Sequence, residues 1–188
     1  MERRELLKMI ALATGSALIG GELFLSGCKN SPALGGATFN EQDISFLDEV
    51  GETIIPKTSS PGAKEAAVGS FMTVMVNDCY TKNDQQIFHE GIRKLDDACK
   101  KANNTSFMTA TPEQRTSLLT ALDKEAKQYQ ETKKKEDPSH YFTMMKQLTL
   151  LGFFTSKPGA TQALRHVPVP GKYDGAFPYK KGDKAWAE

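Results

Sequence analysis

The residues best suited to chemistry are three histidines (His89, His140, His166), three cysteines (Cys28, Cys79, Cys99) and many carboxylates. Their spacing argues against a catalytic or metal centre. A zinc site on one helix needs ligands at i, i+3 or i, i+4, and no two histidines stand so. A trio assembled in three dimensions is the metal reading that remains. Asp96 and Asp97 are adjacent, so on a helix they point in different directions and do not form one acid–base pair. The chain has no Cys-x-x-Cys-His for covalent haem, no cysteine cluster for iron–sulfur, no Gly-x-Gly-x-x-Gly and no Gly-x-Ser-x-Gly elbow. Carboxylates on the helical stretches alternate with lysine, as on a solvated face. The sequence assigns no catalytic, cofactor-binding or metal-binding residue.

Composition narrows the class. A net charge of +1, with 25% charged and 39% hydrophobic residues over 188 positions, fits one soluble domain with a real core. Nucleic-acid binding requires a basic surplus, which is missing here. Lys133-Lys134-Lys135 reads as a solvated helix end.

The N-terminus reads as an address. Arg3, Arg4 and Lys8 precede a mostly apolar stretch from Met9 to Leu25, the order of a secretory signal. Glu22 interrupts that stretch, which is also too short to span a bilayer. The Arg3-Arg4 pair points to twin-arginine export of a folded protein. Leu25-Ser26-Gly27-Cys28 resembles a lipobox, which would free Cys28 for acylation. Lys29 after the cysteine favours the outer membrane. Residues 1–27 are therefore expected to be a signal peptide, 28–38 a flexible tether and 39–188 the folded domain. The product is expected to be lipid-anchored on the periplasmic side.

The body reads as about five helices. Asn40 with Asp43 starts the first, in which Ile44, Leu47, Val50 and Ile54 repeat at helical spacing until Pro56. Ala66 to Tyr80 is the second, with Val68, Phe71, Met72, Met75 and Cys79 on its inner face. The third runs to about Ala102 through Phe88, Ile92, Leu95 and Cys99. Thr111-Pro112-Glu113-Gln114 is a capping box opening the fourth, with Leu118, Leu122, Ala126 and Tyr129 inward. Asp137-Pro138 opens the fifth, with Tyr141, Met144, Met145, Leu148 and Leu151 inward and Gly152 as its stop. Alternating apolar and polar runs are missing, so the fold class is an all-α, single-domain bundle. The last stretch, rich in Pro, Gly and aromatics, is expected to pack on the bundle or on another protein. Cys99 lies about 15 residues, or roughly 22 Å, from the turn that Cys79 adjoins, beyond disulfide reach. Both are expected to be buried thiols, unless a break at Gly91 brings them together.

Several segments resemble a known family. They are Glu52-Thr53-Ile54-Ile55-Pro56 with Thr58 and Pro61-Gly62-Ala63, Phe88-His89-Glu90-Gly91-Ile92, Leu148 to Ser156, and Pro170-Gly171-Lys172-Tyr173-Asp174-Gly175. In that order they resemble the gluconate 2-dehydrogenase subunit 3 family, small subunits of membrane-bound flavin-dependent sugar and polyol dehydrogenases. His166 stands where that family leads one to expect an aromatic such as tyrosine. The resemblance implies a non-catalytic escort for a large subunit that carries FAD and oxidises the sugar, with a cytochrome c subunit or other acceptor taking the electrons. The twin-arginine signal would carry the folded, cofactor-loaded pair, and the lipid on Cys28 would tether it. The surface around Phe153, Phe154, Pro170 and Tyr173 is the expected partner interface. The alternatives are a solute-binding periplasmic lipoprotein, which needs an apolar pocket with convergent polar groups, and a free-standing metalloenzyme built on the histidines.

Overall fold

The computed structural model describes residues 34–169 and 171–187. Arg3, Arg4, Cys28 and Pro170 lie outside the described residues, as do the signal peptide and the lipobox.

Five α-helices follow one another: α1 (Glu41–Ile54), α2 (Val68–Cys79), α3 (Lys82–Asn103), α4 (Pro112–Thr132) and α5 (Tyr141–Thr155). After them come a π-helical turn, Gly159–Ala163, and two two-residue strands, β1 (Arg165–His166) and β2 (Trp186–Ala187). The all-α class is what the structure shows. Leu34–Glu188 forms one compact unit, and its core runs from Phe46 on α1 to Phe153 on α5.

Local chemistry sets the helix ends. The Asn40 side chain accepts from the backbone N–H groups of Gln42 and Asp43, while the Asp43 carboxylate accepts from Asn40 N at 3.0 Å. Asp43 is fully buried and also accepts from Gly35 N at 2.8 Å, fastening the arm before α1. Glu52 holds the loop after α1 by accepting from Lys57 N and Lys64 N. α2 has no side-chain cap of its own, because the capping position is Ala67, a methyl side chain with no acceptor, here left-handed at φ 51°. Asp48 of α1 serves instead, accepting from Gly69 N at 2.7 Å. Burial raises the Asp48 pKa, against the lowering effect of that hydrogen bond. At α4 the box closes as the sequence requires, with Gln114 N donating to Thr111 Oγ1 and Thr111 N to Gln114 Oε1.

Two glycines let helices approach closely. A Cβ on Gly91 would lie 2.6 Å from the Tyr141 side chain, and one on Gly152 would lie 2.6 Å from the Phe71 ring. α3 therefore passes unbroken through Gly91, and α5 crosses α2 at Gly152. Tyr141, buried there, has its phenol pushed up to about 12 by that burial, with a smaller contribution from Glu125.

The structure corrects several expectations. Gly152 does not stop α5, which continues to Thr155 because the glycine serves packing. The helix begins at Tyr141 rather than at Pro138, with His140 Nδ1 accepting from Phe142 N at 3.2 Å. Leu151 points outward, not inward. Cys79 and Cys99 are both free, but only Cys99 is buried, since Cys79 is the last residue of α2 and lies exposed. The tail does not cover the bundle. Every described residue from Pro168 to Trp186 is exposed, and the tail closes on itself where Arg165 N donates to Ala185 O and Val167 N to Ala187 O.

Candidate partner interface

α5 is apolar on nearly all sides, an arrangement that suits a helix covered on both faces. One face meets the core through Tyr141, Met145, Leu148, Thr149 and Phe153. On the other, Leu150, Leu151 and Phe154 stand 40%, 45% and 41% exposed. Their spacing of one and four residues places them on the same side of the helix. Val74, on the helix that packs against α5 at Gly152, is also exposed.

The residues expected at the interface divide. Phe154 is on the outer face of α5, its ring meeting Phe153 edge-on at 5.1 Å. Phe153 itself is buried at 2% exposure and belongs to the core. The cause is the continuation of α5 through Gly152, which puts Phe153 in four-residue register with Thr149 and Met145. Tyr173 is 96% exposed in the tail, and the aromatic contacts among the described residues do not join it to Phe154. Sequence reasoning missed Leu150, Leu151, Phe177 and Trp186. The run Leu148-Thr149-Leu150-Leu151-Gly152-Phe153-Phe154 carried the signal, because it supplies apolar residues to more faces than one core can cover.

The histidines do separate jobs. His89 is buried on α3 and stacks on Phe39 at 4.1 Å, with its Nδ1 lacking a partner among the described residues. Burial lowers its pKa, partly offset by the Asp43 carboxylate. His140 caps α5 and lies 3.6 Å from Glu125, and His166 is exposed in β1. Among the described residues no three His, Cys, Asp or Glu side chains are grouped to hold a metal ion. Asp96 and Asp97 both lie near Lys100, at 2.7 and 3.5 Å, but differ in burial. Asp96 is buried, accepting from Phe107 N and pairing with Lys100 at 2.7 Å, while Asp97 faces solvent.

The strongest ionic cluster is architectural. Glu49 on α1 pairs with Lys64 and with Arg115 of α4, and Arg115 also donates to the carbonyls of Phe107 and Met108. Burial pushes the Glu49 carboxyl up, but the two cations outweigh it and hold it below its ordinary value. A cleft of about 200 Å³ lies between α1, α4 and α5, lined in part by Thr53, Thr116, Asp123 and Lys146. The Asp123–Lys146 ion pair at 2.6 Å occupies its polar side.

A family model described as gluconate 2-dehydrogenase subunit 3 matches residues 41–171, which takes in all five helices, the π turn and β1. Comparison with curated proteins and with solved structures gives no match. The matched region holds both the exposed face of α5 and the fold that presents it, and on that extent the chain belongs to the gluconate 2-dehydrogenase subunit 3 family, whose members associate with a dehydrogenase catalytic subunit.

Proposed function

We propose that this chain is a non-catalytic small subunit that escorts, stabilises and membrane-tethers an FAD-dependent sugar, glycoside or polyol dehydrogenase. The observation that carries the reading is the outer face of α5, where Leu150, Leu151 and Phe154 are exposed on a helix whose other face is core. Clustered apolar side chains on a folded surface mark a protein-binding site, and aromatics supply much of the energy there. Arg3 and Arg4 would direct export of the folded pair, and acylation at Cys28 would hold it on the periplasmic side, with the outer membrane favoured by Lys29. FAD would reside in the large subunit, with a cytochrome c subunit or another acceptor receiving the electrons.

The test is purification of the tagged full chain from detergent-solubilised membranes of its own host, with an absorbance spectrum of the eluate. A co-eluting large chain with a flavin spectrum is the expected result. A colourless, lone lipoprotein overturns the reading. Phe154→Ala is expected to weaken the complex by roughly tenfold while moving the stability of the isolated chain by no more than ~0.5 kcal/mol. Unchanged affinity would remove Phe154 from the interface.

A further inference from the structure

The tail carries a charge pattern that the subunit reading does not use. From residue 157 onward, Lys157, Arg165, Lys172, Lys180, Lys181 and Lys184 are set against only Asp174, Asp183 and Glu188. Residues 34–156 show the reverse balance, with 14 basic residues against 17 acidic. Half of those 14 cations are held in ion pairs, among them Lys64, Lys100, Arg115 and Lys146. Among the described residues none of the six tail cations is in one. The tail's two described carboxylates are engaged by backbone, Asp174 accepting from Ala176 N and Asp183 from Lys180 N. Lys184 donates to the Gln162 carbonyl, which leaves its charge unneutralised, and Lys157, Lys172, Lys180 and Lys181 are exposed to solvent.

Aromatic side chains lie among these cations. Trp186 meets Phe177 edge-on at 5.3 Å, and the Arg165 guanidinium sits 4.5 Å over the indole. Together with Tyr179 and Lys184 they line one open dish of about 380 Å³. Trp186, Phe177 and Tyr179 are 48%, 50% and 76% exposed, so the pairing of β1 with β2 displays them instead of burying them.

We propose that this basic, aromatic tail surface docks on an anionic phospholipid bilayer. Trp and Tyr settle at headgroup level with one end apolar and one wet, and nearby Lys and Arg are drawn to the anionic surface. An acidic protein surface is the competing occupant. Lysine is depleted in protein–protein interfaces, yet five of the six tail cations are lysines. A bilayer attracts lysine as strongly as arginine, so the composition favours lipid. Docking would be peripheral, since no helix among the described residues is long and apolar enough to cross a membrane. The inference requires neither acylation of Cys28 nor the catalytic partner.

The experiment uses residues 29–188, which contain the whole compact unit and no acylation site. This protein is sedimented with vesicles of phosphatidylglycerol and, separately, of phosphatidylcholine. Trp186 is the only tryptophan, so its emission reports on this surface alone. Phosphatidylglycerol is expected to bind the protein and shift Trp186 emission to the blue, with release at high salt. Phosphatidylcholine is expected to do neither. Lys180→Ala, Lys181→Ala and Lys184→Ala combined are expected to weaken binding on the order of 100-fold, roughly fivefold for each charge. The salt response of the unaltered chain stands even if that variant misfolds. Absence of binding, equal binding to both lipids, or binding with unchanged Trp186 emission each overturns the proposal. If the triple variant keeps its vesicle binding but loses the dehydrogenase subunit, the surface belongs to a protein partner.

Discussion

His89 shows how one side chain reports on the interior. Its ring is stacked on Phe39, and its Nδ1 is buried without a partner among the described residues. Protonation places a charge where burial opposes it, so the folded-state pKa lies below the unfolded value, and the Asp43 carboxylate offsets only part of that. A depressed histidine pKa costs the folded state stability as pH falls through the unfolded pKa, about 6.5, and that loss is complete below the folded pKa. Glu49 acts in a lower window. With its folded pKa held down by Lys64 and Arg115, its stabilisation is full above its unfolded pKa and is lost as pH falls through the folded one. Urea midpoints are therefore expected to drop between pH 7.5 and 5.5, and His89→Phe, which keeps a ring against Phe39, is expected to flatten that interval. An equal drop in the variant would assign the pH dependence elsewhere. The sequence placed His89 on the third helix, but not beneath the arm before α1. Gly35 and Phe39 reach it across some fifty positions, and no local pattern encodes that contact.

Helix starts were readable where a capping box stands, and most inward stripes with them, but the end of α5 was not, because the two depend on different distances along the chain. Asn40 with Asp43 and Thr111 with Gln114 satisfy backbone N–H groups three residues away, so the residues that form each cap also announce it. Gly152 depends on Phe71, a residue of another helix, and a glycine beside a close crossing is spelled like a glycine at a stop. Ending α5 there leaves Phe153 and Phe154 as equals outside the helix. Continuing it to Thr155 buries the first and displays the second. Cys79 keeps the phase of Met72 and Val76 but is the last residue of α2, and there it lies exposed. Propensity alone favours alanine over glycine in a helix by ~1 kcal/mol. At Gly91 and Gly152 the expected sign is opposite. Each added Cβ meets an aromatic side chain at 2.6 Å, and Gly91→Ala and Gly152→Ala are each expected to destabilise by about 1–3 kcal/mol in chemical denaturation. A neutral or stabilising result would show that the helices separate without cost.

Across the whole molecule, stability and display occupy different segments. The core ends at Phe153, with Ala163 the last residue packed partly against it, while the tail beyond closes on itself through β1 and β2, the Trp186 contacts and a Lys184 hydrogen bond to the Gln162 carbonyl. Removing residues 165–188 is expected to leave the melting midpoint within about 2 °C, since exposed positions contribute little. A fall of ten degrees or more would show that the tail braces the bundle. Composition had already required the tail to find a surface outside itself, and the structure shows that its own helices are not that surface. That the tail seeks an anionic surface rests on unpaired charge, which became visible only once the ion pairs of the body were known, while the choice of lipid over protein rests on its lysines, which the sequence already displays.

Among the described residues the free thiols of Cys79 and Cys99 give the fold a pair of clocks. Cys79, at the exposed end of α2, answers an alkylating reagent at the rate of the chemistry. Cys99 has no exposed surface, and its sulfur accepts from the Asn103 amide at 3.7 Å. It becomes available only when α3 lifts from its neighbours. The lag between the two alkylation steps therefore measures how often the bundle opens under conditions where it is otherwise folded.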